Sequence, residues 1–382
     1  MAYQHVDMEI LQSSKYGGEP CGDSTWVWRG PFHTNFALAD GIGSGVRAHI
    51  FSQMNISRLG ALLKDGASLR DAFMSLAGTI SRWRDHSLPF SAFTVVRIRN
   101  NGRTSVLAYE MPPPLLVSRN GARLLAGKPL VVPAGVATEY QCKLEPREGL
   151  LCVSDGITQA GLGGLMDQGW ASEGLEDFLN QWQRRGQPFS QLAGQVLKQA
   201  QGYDGVQPGD DKTVMLAHVR QGSMVRIFTG PPRDRTRDSR VAGEFLRADE
   251  TKVLCGATTA EIVSRESGET LEMEQDYTDY TTPPRCFLKG VDLVCEGVVT
   301  LTQVYNMLDE SPSTGVDHSA ASTLTGMLMK ADRVHFTVGG ALNPANRDIA
   351  FRKQGILSRE AVVPLIAGKL EHMGKLVTLE RI

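Results

Sequence analysis

Four aspartates stand next to glycine beside strand-like apolar runs: Asp23 in CGDSTW, Asp40 in FALADGIGSG, Asp155 in LLCVSDGI and Asp210 in GDDKTVMLAHV. A carboxylate at a strand mouth, with a loosened backbone beside it, suits two chemistries. A glycine-rich turn can cradle phosphate through its N–H groups, or the acid can hold a hard cation beside a close-approaching carbonyl. Taken singly, each Asp-Gly is a turn signal. Taken together, four convergent carboxylates repel one another and are costly to bury unless cations neutralise them, so the set points to divalent metal. Oxygen-only ligation without a neighbouring His or Cys favours Mg2+ or Mn2+ over zinc. Two such ions about 3.5–4 Å apart suit activation of water for in-line attack on phosphorus. Gly41 would let its own carbonyl approach a cation already held by Asp40.

The elements that must bring these acids together are legible in the hydrophobic period. Residues 46–64 and 68–84 carry apolar side chains at three- and four-residue steps, including Ile50, Met54, Ile56, Leu59 and Leu62, then Phe73, Met74, Leu76 and Ile80. Between them DGAS stops one helix and offers Ser68 as the cap of the next. Extended segments follow around Asn101-Gly102 and Asn120-Gly121, both hairpin signals. A further strand ends at Asp155, helices are expected over about 175–199, and GDDKTVMLAHV opens another strand. This order predicts an α+β sandwich of antiparallel sheets flanked by helices. Near Gly222 the grammar changes to alternating apolar strands and helices, which predicts a doubly wound α/β domain over 222–382 after a first domain over 1–221.

Bulk properties narrow the partners. At 382 residues the chain is long enough for two domains. Forty basic residues against 42 acidic ones leave a formal charge of −2, which offers no overall footprint for nucleic acid or anionic lipid. The first residues lack a basic flank joined to an apolar core, and no run is long enough to cross a bilayer, so a soluble cytoplasmic protein is expected. Six cysteines without a C-x-x-C pair read as reduced, buried thiols.

The motifs at Gly22-Asp23, Ala37 to His49, Leu150 to Ile157 and Gly209 to Val219 resemble the bacterial metal-dependent serine/threonine protein phosphatases of the PPM fold, in the stage II sporulation protein E branch. The resemblance covers about residues 5–220. It implies a PPM-type β-sandwich in which Asp40 bridges two Mn2+ or Mg2+ ions. The Gly41 carbonyl and Asp23 would complete one, Asp155 and Asp210 would hold the other, and Asp211 would stand behind the ligands. It implies hydrolysis of phosphoserine or phosphothreonine on a protein, such as an anti-sigma antagonist-like domain, by a water held between the ions. The helix pair after GIGSG resembles the one that couples partner contact to the metal site, and the loop at Val131 to Val136 resembles the one facing it. A phosphate-clamping arginine has no clear counterpart, Arg29 and Arg47 being the nearby candidates. His33 and His49 are better read as structural than as acid or base.

The second half resembles the C-terminal extension of such phosphatases encoded beside iron-only hydrogenases, through FTGPP, CGATTAEIV, VDLVCEG and Asn343-Pro344. From the residues themselves, Thr258 and Thr259 fall at a helix start able to cap it or bind an anion. Cys255, Cys295 and Glu296 fall at strand ends, on the ligand-binding edge of such a sheet. A regulatory or ligand-binding domain is therefore expected. Two rival readings of the whole chain are a phosphatase of a small phosphorylated molecule and a catalytically silent scaffold or sensor.

Overall fold

The computed structural model describes residues 3–85, 90–164, 166–205, 209–273, 286–309, 319–341 and 356–382. Asn343-Pro344 lie outside the described residues. The chain divides into two compact units, Met1–Gln221 and Gly222–Ile382.

In the first unit β1 (Gln4–Ser13), β11 (Lys212–Gln221), β10 (Gly149–Val153), β6 (Leu115–Ser118) and β7 (Gly121–Leu124) form one antiparallel sheet, in that order. The other, also antiparallel, runs β2 (Ser24–Arg29), β3 (His33–Gly41), β4 (Ser91–Arg99), β5 (Arg103–Tyr109), β9 (Gly135–Lys143), β8 (Lys128–Val132). Between the sheets lies a core of Phe36, Leu38, Val96, Ile98, Val106, Leu150, Met215 and Val219. Side chains alternate across a strand, so Ala37 and Ala39 face the other way, under α1 (Gly45–Lys64) and α2 (Leu69–Asp85). That double coverage explains why FALA is apolar throughout. Each large side chain fully buried in this way contributes about 1.5–3 kcal/mol. On the remaining face α4 (Ala171–Arg184) and α5 (Leu192–Asp204) pack Leu175, Leu179, Val196 and Ala200 against Leu151, Val153, Val214 and Leu216.

Helix α1 departs from its apolar period. Ile50 and Met54 are exposed, and the buried stripe runs through Ala48, Ser52, Asn55, Ile56, Leu59 and Leu63. The polar members are there for bonds: Ser52 donates to the Gly22 carbonyl at 2.6 Å, and Asn55 donates to Ser91 at 2.6 Å. Ser68 Oγ accepts from the Asp71 N–H at 3.1 Å, capping α2 as the sequence predicts. The hairpin at Asn101-Gly102 is a three-residue loop, with Gly102 at φ +78. The other turns on Arg119-Asn120, with Gly121 already paired to Ser118.

The second unit has one sheet in the order β14 (Glu272–Met273), β15 (Cys286–Phe287), β16 (Leu293–Cys295), β13 (Thr251–Cys255), β12 (Met224–Thr229), β17 (Arg333–Val338), β18 (Leu376–Arg381). From β16 to β18 every pairing is parallel, while β14 and β15 add an antiparallel edge. On one face α8 (Val298–Met307), α9 (Ala320–Lys330) and α10 (Arg359–His372) bury Leu301, Leu324 and Ile366. The other face holds α6 (Asp238–Leu246) and α7 (Ala257–Ser267), with Phe245 and Val263. Helices on both faces of a parallel core make this a doubly wound sheet, with strand order reversing about β12.

Candidate active site

Asp40 ends β3, and Asp155 opens the single-turn helix α3 (Asp155–Thr158) directly after β10. Asp23 precedes β2, and Asp210 and Asp211 precede β11. Strands β10 and β11 are neighbours with Val153 opposite Val214, so the residues just beyond them meet. The Ser154 N–H donates to the Thr213 carbonyl at 3.1 Å, and the Thr213 N–H donates to Ser154 Oγ at 2.8 Å. Across to the other sheet, Thr213 Oγ1 donates to Asp23 Oδ2 at 2.5 Å while accepting from Gln12 at 3.0 Å. Thus one threonine ties two strand mouths from opposite sheets together.

Two glycines are required by close approach. A Cβ on Gly41 would strike the Ala48 carbonyl of α1, and one on Gly156 would strike the Asp211 carbonyl. Gly41 therefore lets the helix backbone pack against the strand end that carries Asp40.

The carboxylates perturb one another. Burial, then the charges of Asp23 and Asp155, a hydrogen bond with Asp155 and the charge of Asp210 push Asp40 up to about 10. Asp23, 2% exposed, is pushed up to about 6 chiefly by burial, with Asp211 and Asp155 adding to it and bonds from Thr213 and Ser154 opposing it. Asp210 is raised by burial and by Asp155 and Asp211, against a backbone bond from Asp211 and the charge of Lys15. In this arrangement the neutral form of Asp40 relieves repulsion that a cation would otherwise relieve.

Among the described residues no three His, Cys, Asp or Glu side chains are placed together so as to hold a metal ion as they stand. The acids converge while still bonded to protein partners. Asp155 accepts from Gln159 at 2.9 Å, Asp210 accepts from the Asp211 N–H at 2.9 Å, and Asp211 accepts from the Lys15 N–H at 2.8 Å. Two oxygens stand apart: Asp23 Oδ1 and Asp211 Oδ2 are buried without a hydrogen-bond partner among the described residues. An orphaned buried carboxylate oxygen is expensive, and a hard divalent cation is the partner that fits it. The donor set therefore suits Mg2+ or Mn2+, and Asp211, 4% exposed, is more deeply set than Asp210.

His49 Nδ1 bonds the Cys21 carbonyl at 2.8 Å, His33 stands at the far end of β3, Arg29 donates to the Val6 carbonyl at 3.0 Å, and Arg47 is exposed. Gln12, Lys15, Ser154 and Thr213 escaped sequence reasoning. Only Thr213, two residues after Asp211, carried a local signal.

In the second unit Cys255 and Cys295 are paired in register on adjacent strands, their Sγ atoms 3.1 Å apart and both thiols free. Their mutual bond and burial push the Cys255 thiol up. Thr259 Oγ1 accepts from the Gly230 N–H at 2.8 Å, so it is committed within the fold, whereas Thr258 is exposed. Glu296 accepts N–H groups at the start of α8.

The family model described as Stage II sporulation protein E (SpoIIE) matches residues 30–220. Among solved structures, the PP2C phosphatase domain with a regulatory-domain fragment of SpoIIE from Bacillus subtilis is 19% identical, with 58% of this chain and 66% of that one covered and a TM-score of 0.49. The RsbU and RsbW domains of Rv1364c from Mycobacterium tuberculosis are 16% identical, covering 64% and 68%, with a TM-score of 0.48. The SiaA-PP2C domain of Pseudomonas aeruginosa is 18% identical, covering 55% and 85%, with a TM-score of 0.47. No curated protein sequence matches the chain. No helix among the described residues is long and apolar enough to cross a membrane. With half of its length matched by that family model, the chain belongs to the SpoIIE family and is a protein serine/threonine phosphatase.

Proposed function

We propose that the first unit hydrolyses phosphoserine or phosphothreonine on a protein partner, using two Mn2+ or Mg2+ ions gathered by Asp23, Asp40, the Gly41 carbonyl, Asp155 and Asp210. The observation that carries this reading is the pair of buried, unpartnered oxygens on Asp23 and Asp211 inside a set of acids that raise one another's proton affinity. When bound, the ions supply Lewis-acid polarisation of the phosphoryl group and a more acidic attacking water.

The chain's own residues prepare that chemistry. Thr213 and Ser154 orient Asp23 and fasten β10 to β11. Burial and the neighbouring acids favour the protonated form of Asp40, and a bound cation would favour its carboxylate. Lys15, 3.8 Å from Asp210, balances part of the negative charge at the open side. Asp211 has one oxygen fixed by the Lys15 N–H and the other unpartnered, so it joins the candidates for direct ligation beside Asp210. The substrate class implied by the family resemblance is a phosphorylated anti-sigma antagonist-like domain. The second unit would adjust output through the edge that bears Cys255, Thr258, Thr259, Cys295 and Glu296.

Turnover of p-nitrophenyl phosphate and of a phosphoserine peptide with Mn2+ tests the proposal. Activity lost with EDTA and in Asp40→Asn supports it; absence of turnover with every divalent metal and both substrates favours a silent scaffold.

A further inference from the structure

The face of the six-stranded sheet that α1 and α2 cover changes character beyond the helices. Read across the strands, one row is apolar through Trp26, Ala37, Val95 and Leu107 and ends on Glu139, which accepts from Arg70 and Gln141. The next row on the same face is Trp28, Asn35, Arg97, Ser105 and Gln141, and the last is His33, Arg99, Arg103 and Lys143. Nearest neighbours across strands on one face have Cβ atoms about 4.5–5.5 Å apart, so the cations of these two rows are gathered.

Their charge is uncompensated. Lys143 is paired with Glu145, but among the described residues Arg97, Arg99 and Arg103 have no carboxylate partner. Burial and the Arg99 charge lower the proton affinity of Arg97, and burial with Arg97 and Arg99 does the same to His33. Like charges left facing each other in a chain of net charge −2 indicate a place kept for an anion.

Two buried polar groups in the same rows are also unsatisfied. Arg97 Nε is held by Asn35 Oδ1 at 2.9 Å, yet Asn35 is fully buried and its Nδ2 has no acceptor. His33 Nε2 is likewise buried without a partner among the described residues, its ring edge-on to Trp28. A cleft of about 460 Å3 opens here, lined by Arg99, Arg103, Thr104, Ser105, Gln141 and Cys142.

We infer that this cleft is a second, metal-independent anion site that takes a multiply charged phosphate-type oxyanion. The Arg99 and Arg103 guanidinium forks line the cleft, with Arg97 two residues from Arg99 along the same strand, and they match a pyrophosphate-like group, whereas a single carboxylate would leave part of their charge unanswered. From His33 to Asp40 is seven residues of extended strand, about 23 Å, so the site is separate from the aspartates. The chemistry is shared by free pyrophosphate and by the phosphate tail of a nucleotide.

The test is thermal melting and calorimetric titration of the full chain in EDTA, with inorganic pyrophosphate, adenosine triphosphate, or sodium chloride at equal ionic strength. Pyrophosphate should raise the melting temperature beyond chloride, and Arg99→Gln and Arg103→Gln should each weaken binding at least tenfold. Both residues are exposed, and p-nitrophenyl phosphate turnover in the two variants should match the parent chain, which verifies folding. Asp40→Asn should leave pyrophosphate binding intact. Tighter binding of the triphosphate identifies a nucleotide as the source, and weaker binding identifies the free anion. No effect of pyrophosphate beyond chloride, or one that persists in both arginine variants, overturns the inference.

Discussion

Thr213 Oγ1 lies 2.5 Å from Asp23 Oδ2, while Asp23 Oδ1 is buried without a hydrogen-bond partner among the described residues. One oxygen of the carboxylate is fixed and the other is left for a ligand. Thr213→Val keeps the shape and removes the clasp. The expected outcome is a 10- to 100-fold loss of Mn2+ affinity, roughly the effect of losing an outer-shell partner, with a native circular dichroism spectrum. Unchanged affinity would mean that the clasp does not orient Asp23.

Gly41 faces the Ala48 carbonyl with no space for a methyl group. Gly41→Ala should lower stability by about 1–3 kcal/mol in urea unfolding, the scale of overpacking, and should reduce phosphatase activity with it. A variant of full stability and activity would show that α1 can move away from β3 at no cost.

Lys212 and Asp204 form a buried ion pair beside the acids, and Lys212 Nζ also donates to the Asp210 carbonyl at 2.9 Å. Removing one partner strands the other, so Lys212→Ala should cost about 3–5 kcal/mol. The double change Lys212→Met with Asp204→Leu should recover much of that loss. Equal losses in both variants would place the cost in packing.

Stability should also depend on pH through half-buried histidines. Burial, then the charge of Arg226, holds the His335 ring below its ordinary value, opposed by Glu380 and Glu250. The unfolded chain then binds the proton more readily, so this contribution is present above about pH 6.5 and is lost as pH falls below it. His33 and His218 are shifted in the same direction. Melting temperature should therefore drop between about pH 7 and 5.5, and His335→Gln should make the drop smaller.

Periodicity and turn chemistry exposed much of the architecture because they are local. Strand mouths at Asp40 and Asp155, the Ser68 cap and the α1–α2 pair could all be read within a few residues. What stayed hidden depends on partners distant in the chain. Thr213 meets Asp23 across 190 residues, and Arg97 meets Asn35 across 62. Ile50 and Met54 look like core by spacing, but Ser52 and Asn55 take the buried stripe because strand ends supply their hydrogen bonds. Thr259 looks like a free helix cap until Gly230 is brought beside it by the sheet.

Calorimetric titration of the metal-free full chain with Mn2+ tests the central claim most directly. The account expects two ions per chain and a marked loss of both binding strength and stoichiometry in Asp40→Asn, whose fold should persist because burial and the neighbouring acids already favour the neutral carboxyl when no metal is present. A chain that binds no Mn2+, or an Asp40→Asn isotherm identical to the parent's, would contradict it.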